Sequence, residues 1–296
     1  MTPGQTALVS VPVATLWRSP DRIRPIDRFA ADARPDLGAW IKMTTPEQQD
    51  LDGRADSQLL YGDPVQVDEV DGDWVRCVAL GQASRHDPRG YPGWIPAVQL
   101  IDATTQASEP THIVDALSTD LRAGLDGTVL VAGIVLGTRL TAAGPAADGW
   151  LPVAVPGDVG WVPESAVRPY PSADLDPVTV AERLIGVRYI WGGVSPYGID
   201  CSGLVHLSFR RLGVTLPRDA SDQANATKPL AFGEERRGDL YFFAKPGRSV
   251  THVGFVAAPP DPDGTRHMVH ASGSKQVISE PVSGEREDTL VAVHRV

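Results

Sequence analysis

The chain has 296 residues and a formal charge of −10 at neutral pH, so it lacks both the basic footprint of a nucleic-acid binder and the polybasic patch of a membrane anchor. Its hydrophobic content of 42% and charged content of 22% are those of a globular protein with room for two or three domains. Two cysteines make no disulfide framework, and no apolar run approaches the ~18 residues of a membrane span.

With 29 glycines and 26 prolines, many turns, short strands and modest helix are expected. The opening run MTPGQTALVSVPVATLW alternates like a strand and has neither a basic leader nor an unbroken apolar core, so a cytosolic protein is expected. Residues 1–103 read as one β-rich domain with an irregular insertion at about 20–57. Within that insertion, Thr45-Pro46-Glu47-Gln48 reads as a helix start. The run LLYGDPVQVDEVDGDWVRCVAL gives two alternating strands joined at Val70-Asp71-Gly72-Asp73, and Cys77 within it reads as a buried, inert thiol.

Residues 104–170 repeat that plan. Asp73-Trp74 and Gly93-Trp94-Ile95-Pro96 are answered by Gly149-Trp150 and Gly160-Trp161-Val162-Pro163. The first copy carries about nine extra residues within GQASRHDPRGYPG. A Pro-rich linker follows, and Asp176-Pro177 caps a helix, VTVAERLIG.

The segment YIWGGVSPYGIDCSGLVHLSF turns through Gly192, Gly193, Pro196 and Gly198 and enters a helix at Cys201. Leu204, Val205, Phe209 and Leu212 fall on one helical face, and Gly213 stands at the C-cap. A cysteine in the first helical turn meets unpaired N–H groups and the positive dipole end, which favour a thiolate and make it a candidate nucleophile. Of the seven histidines, His252 opens one strand and His270 ends the next, so antiparallel pairing would bring them together. His206 lies within the helix, His267 points to the face opposite His270, and His86, His112 and His294 have no evident partners. Spacing alone leaves a Cys201–His252 dyad open beside a purely structural reading of the same residues.

The motifs YIWGG…DCSGLV, LPRDASDQ, GDLYFF, HVGFV and MVHASG, in this order over about residues 171–296, resemble the NlpC family of papain-like cysteine peptidases, which cut peptidoglycan stem peptides. The two GW-[IV]-P units ahead of them resemble bacterial SH3-like domains. The implied fold is multidomain: two small all-β SH3-like barrels (1–103 and 104–170), then an α+β papain-like peptidase domain (171–296). The resemblance implies Cys201 as nucleophile, His252 as base and His270 as its orienting residue. It gives Tyr189 and the Cys201 N–H to the oxyanion, and sets Asp200 and Ser202 along the substrate cleft.

Two SH3-like units before the peptidase resemble a narrower group, the γ-D-glutamyl-L-diamino acid endopeptidases. This implies a muropeptide substrate, L-Ala-γ-D-Glu-diamino acid, whose free L-Ala ammonium is bound by an acidic residue and a tyrosine from the first β domain, here Asp56 and Tyr91. No cofactor and no metal are implied. LPRDASDQ departs from the family in placing Asp219 and Ala220 where Ser or Thr is usual, and the loop PPDPDGTRH is enlarged. Asp239 reads as a turn residue rather than a catalytic acid. The competing function is a non-catalytic scaffold that binds wall peptides through its SH3-like units.

Overall fold

The computed structural model describes residues 1–103, 109–125, 127–172, 174–273 and 275–296. The boundary read at 103–104 adjoins residues 104–108, which lie outside the described residues. The chain forms three groups of antiparallel sheets in sequence order, with short helices between them.

The first group comprises β1 (Thr6–Val9), β2 (Val13–Trp17), β3 (Ala55–Leu60), β4 (Pro64–Asp71), β5 (Trp74–Ala79), β6 (Tyr91–Pro96) and β7 (Leu100–Asp102). They make one sheet in the order β3-β2-β6-β5-β4-β1-β7. Asp71 pairs Trp74 across the turn that Gly72 closes at φ 54°, as the Asp-Gly signal predicts. The insertion is more ordered than its sequence suggests. Between β2 and β3 it forms α1 (Arg28–Ala31), α2 (Leu37–Trp40) and α3 (Thr45–Gln49), which bury Leu37, Trp40, Met43 and Leu51. Trp40 stands edge-on to Trp17 at 6.1 Å and donates its indole N–H to the buried Asp27 at 3.0 Å. Thr44 and Glu47 close a reciprocal capping box at the start of α3.

The second group has β8 (His112–Val114), β9 (Ser118–Arg122), β10 (Val129–Val135), β11 (Arg139–Leu140), β12 (Trp150–Val155), β13 (Asp158–Pro163) and β14 (Val167–Pro169). They divide into a four-stranded sheet, β10-β9-β13-β12, and a three-stranded one, β11-β8-β14. The repeat seen in sequence has a register behind it. Trp74 pairs Pro96 in the β5–β6 hairpin, and Trp150 pairs Pro163 in the β12–β13 hairpin. A 3-10 turn follows each proline, at Ala97–Gln99 and Glu164–Ala166. The first hairpin differs only in its long connection over residues 80–90.

The third group opens with α4 (Pro177–Glu182), whose cap Asp176 accepts from the N–H groups of Val178 and Thr179. A small hairpin, β15 (Val194–Ser195) and β16 (Gly198–Ile199), leads into α5 (Cys201–Arg211) and then α6 (Ala220–Ala226). Six strands follow: β17 (Lys228–Leu230), β18 (Leu240–Phe243), β19 (His252–Ala258), β20 (His267–Ala271), β21 (Val277–Pro281) and β22 (Leu290–Arg295), with α7 (Glu285–Thr289) before the last. Their order is β17-β22-β18-β19-β20-β21, an α+β layout with α5 packed on β19 and β20. Gly213, at φ 89°, stops α5 as its C-cap position predicts.

The apolar residues read for one face of the Cys201 helix, Leu204, Val205, Phe209 and Leu212, pack in one core cluster, and the rest of α5 is buried as well. One side meets the sheet, with the Phe209 and Phe255 rings 5.9 Å apart. The other side meets the first two β groups through charge. Arg210 donates to Asp63 at 2.5 Å and to the Gly137 carbonyl at 2.8 Å; Arg211 donates to Asp115 at 2.6 Å. His206, left open between packing and exposure, is buried and bonds the Leu216 carbonyl through Nδ1 at 2.8 Å. Periodicity missed this because polar side chains facing a charged partner surface read like a solvent face. Among the described residues, no helix is long and apolar enough to cross a membrane.

Removing one partner of a buried ion pair strands the other charge. Asp63→Ala, which leaves Arg210 unpaired, is expected to cost about 3–5 kcal/mol in chemical denaturation. A change below about 1 kcal/mol would show that water replaces the pair.

Candidate active site

The loop before α5 is built from close backbone approaches. A Cβ on Gly203 would stand 2.1 Å from the Gly193 carbonyl oxygen, and one on Gly193 would stand 2.4 Å from that of Gly198. Only glycines let this loop lie on the first turn of the helix. Asp200 caps the helix. Its Oδ1 accepts from Gly203 N at 2.7 Å and from Ser202 Oγ at 3.2 Å, and its Oδ2 accepts from Gly192 N at 2.9 Å. Arg218, itself buried, donates to the same carboxylate at 2.5 and 3.0 Å. Asp200 and Ser202 therefore border the cleft as expected, but the Asp200 carboxylate is committed to holding the loop, the helix start and Arg218 together.

Cys201 lines a cleft of about 360 Å³. Burial pushes its thiol up to about 11, and Asp200 adds to the rise; the amides of Val253 and Ser202 and the Arg218 guanidinium oppose it. The thiolate preference expected at the helix start is thus outweighed by loss of solvent. Cys77, in β5, is fully buried and pushed up to about 12, in keeping with an inert thiol.

β19 and β20 pair antiparallel and bring His252 and His270 together, as their spacing implies. His252 Nε2 lies 2.7 Å from His270 Nδ1, with the rings nearly perpendicular. Burial, then the Arg286 charge, then His270 hold His252 well below the usual imidazole range. The sequence reading stopped at His270, but the chain of bonds continues: His270 Nε2 meets Glu280 Oε1 at 2.9 Å. Glu280 lies two residues from Ile278, the register partner of His270, so strand alternation puts both side chains on one face. That period-two signal in VISEPV was available in the sequence. His267 turns away to Asp261.

The first β group supplies the cleft's far end. Arg18, Asp56, Arg85, His86 and Tyr91 line it together with Tyr189, Trp191 and Asp219. Asp56 and Tyr91 are in the same cleft, yet each has a partner that sequence did not indicate. Arg18 grips the Asp56 carboxylate, from Nη2 at 2.6 Å and from Nε at 3.2 Å. Tyr91 OH donates to Asp219, 3.2 Å from Oδ2. His86, read as partnerless, stands edge-on to Tyr91 at 5.7 Å with its Nε2 3.8 Å from Asp219. Burial raises Asp219 above the ordinary aspartate range, against the pull of Arg218. Tyr189 is pushed well up by burial and by the Cys201 and Asp200 charges, so its phenol is a neutral donor. Asp239 is a turn residue as read: it accepts from Arg236 N and pairs Arg295. No group of three or more His, Cys, Asp and Glu among the described residues could hold a metal.

A cysteine at a buried helix start, on a helix packed against the two strands that carry a bonded histidine pair, supplies the groups of a thiol-hydrolase class of site. The NlpC/P60 family model matches residues 186–295. The chain is 30% identical over 288 residues to a gamma-D-glutamyl-L-lysine dipeptidyl-peptidase of Bacillus cereus, covering 92% of this chain and 84% of the relative. It is 33% identical over 253 residues to the protein of that name from Bacillus subtilis, covering 82% and 83%. A crystal structure of an NlpC/P60 family protein from Bacillus cereus superposes with a TM-score of 0.86 at 30% identity, over 98% of this chain and 99% of that one. The chain belongs to the NlpC/P60 family of cysteine peptidases.

Burial lowers His270, and Glu280 raises it, by hydrogen bond and by charge. Glu280→Gln removes the raising group, so the His270 ring is expected to titrate lower still, as read by NMR of its ring protons. An unchanged or higher midpoint would deny Glu280 any hold on the pair.

Proposed function

We propose that this protein is a cysteine endopeptidase that cuts the bond between γ-D-Glu and the following diamino acid in short wall peptides bearing a free N-terminal L-Ala. In this reading the chain divides at 1–103, 104–170 and 171–296, and the first two units are SH3-like barrels. Cys201 is the nucleophile, His252 the base and His270 its orienting group, with Glu280 behind it.

The observation that carries the specificity is the charge balance of the closed end. Arg218 is neutralised by Asp200, and Arg85 is matched by Asp222. Asp56 and Asp219 then face Arg18 and the His86 ring, so by formal charge, with histidine counted neutral, the end wall is one negative charge in excess. An ammonium beside Asp219 and Tyr91 OH would cancel that charge, with Asp56 held by Arg18 as a second wall. A peptide whose L-Ala is acylated brings no charge and leaves the excess buried. The substrate must therefore already be released from its glycan, which points to turnover of wall fragments rather than attack on the intact wall. The names of the two Bacillus relatives agree with this bond.

Chemistry follows from the remaining groups. The Cys201 thiol passes its proton to His252, an internal transfer that His270 stabilises by accepting from the imidazolium, while Glu280 accepts from His270 behind it. Sγ then attacks the γ-carbonyl of D-Glu, and the oxyanion meets Tyr189 OH and the Cys201 N–H. The His252 proton goes to the departing amine as the C–N bond breaks. Water, deprotonated by His252, opens the thioester and releases L-Ala-D-Glu. The scaffold reading is disfavoured because every group this chemistry needs is present: Cys201 lines the cleft, and the bonded pair His252 and His270 lies on the strands packed against its helix.

Cys201→Ala is expected to abolish release of L-Ala-D-Glu from L-Ala-γ-D-Glu-L-Lys in a chromatographic assay; undiminished release would sink the assignment. On the native protein, N-acetylation of the same tripeptide is expected to lower kcat/KM by about 30-fold or more, the loss for leaving one member of a buried charge pair alone. Equal rates on the two peptides would remove Asp219, Tyr91 and Asp56 from recognition.

A further inference from the structure

A second cavity of about 300 Å³ lies beside the cleft and shares the Tyr189 and Trp191 wall with it. Its other walls are Gln48, Gln49 and Asp52, from α3 and the turn after it, and Gly273, three residues beyond His270. The insertion is tied in place here. Arg188, next to Tyr189, donates to the carbonyls of Ile41 and Met43 and to Gln48 Oε1 at 3.1 Å. The cavity is thus a fixed feature of the joined units.

Among the described residues, Asp52 is the only charged one in this wall. It is exposed, and its carboxylate has no hydrogen-bond or salt-bridge partner among the described residues. A Cβ on the next residue, Gly53, would stand 3.7 Å from Arg18 Nη1, and Tyr189 lines both cavities, so Asp52 lies close to the wall that they share. Gln48 and Gln49 add neutral hydrogen-bonding groups, and the half-exposed Trp191 indole offers an apolar face for a methylene stem or a cation. A carboxylate here repels anions and discriminates poorly among neutral groups. It suits a flexible aliphatic chain ending in an ammonium.

Direction decides which part of a peptide arrives. With the amino end held at Asp219 and Tyr91, the acyl half fills the first cleft up to Cys201. The leaving half must continue past Cys201, and the Tyr189–Trp191 wall separates it from the acyl half. Resting on the reaction proposed above, we infer that this second cavity is the subsite for the leaving residue, and that Asp52 binds its side-chain ammonium. The protein would then select a diamino acid by its second amine.

The test uses the full chain and three peptides, L-Ala-γ-D-Glu-X, where X is L-Lys, Nε-acetyl-L-Lys or L-norleucine. The native protein is expected to favour Lys over either neutral residue by about 3- to 10-fold in kcat/KM, the range of a half-exposed charge pair. Asp52→Asn should bring that ratio to about one, with the loss falling on the Lys peptide, and Asp52→Glu should restore part of it. Equal kcat/KM for the three peptides on the native protein, or an unchanged ratio in Asp52→Asn, overturns the subsite while leaving the reaction standing. Release of dipeptide from none of the three overturns the reaction itself and the subsite with it. Asp52 is exposed, so loss of folding does not confuse the comparison.

Discussion

The site depends on one buried ion pair, Asp200 with Arg218. Through it, the loop amide of Gly192, the first helical amide of Gly203, the Ser202 hydroxyl and the segment leading into α6 are all held by a single carboxylate. Arg218 extends the hold to the first β group by donating to Ser57 Oγ at 2.9 Å. Burying two charges is costly, and such a pair adds little net stability over apolar residues of the same size. What it supplies is position: a carboxylate with every lone pair taken fixes where the next residue, Cys201, stands. It also sets the local field, since Asp200 disfavours a thiolate and Arg218 favours one. Cys201 thus sits between opposed charges, with the raising effect of Asp200 the larger.

The cleft is composite, with walls from the first β group as well as from the unit that carries Cys201. The six-stranded sheet and α5 provide the reactive groups, but the end wall comes from β3 and the long β5–β6 connection. β3 is seated tightly: a Cβ on Gly192 would stand 3.3 Å from the backbone at Asp56 and Ser57, and Gln58 Oε1 accepts from Val194 N at 3.0 Å. The cleft wall therefore stands on a tightly packed joint between the first β group and the loop before α5. The extra residues of the first repeat are the ones that bring Arg85, His86 and Tyr91 to that joint.

Much of this was legible from sequence because it is local. The Asp-Gly turn, the cap at Asp176, the helix start at Cys201 and the stop at Gly213 each follow from a few neighbouring residues. The meeting of His252 with His270 needed only strand alternation and a connecting loop. What escaped was non-local. The partnership of Tyr91 with Asp219 joins residues 128 apart, and that of Arg18 with Asp56 joins residues 38 apart. Nothing in GRADSQLLYG announces that its carboxylate is already gripped. Of the helices in the 20–57 insertion, α3 announced its start at Thr45-Pro46, whereas α1 and α2 were hidden because each spans only four residues, too few for a period to emerge. His86 looked isolated because its neighbours come from a ring five residues on and an aspartate in another unit.

The complete enclosure of α5 bears on how such a chain can be divided. A helix with one apolar stripe can be lifted out with its sheet and still present a soluble surface. Here the outward side carries Leu207, Arg210 and Arg211, and the last two have their counter-ions on other units and on the linker, at Asp63, Asp115 and Asp174. A fragment beginning near Asp174 would keep every reactive group and lose the lining against which its central helix is set. Shuffling this hydrolase unit onto other neighbours would thus demand that the helix surface be rewritten with each new partner. Inheritance of the three parts as one block is the simpler course.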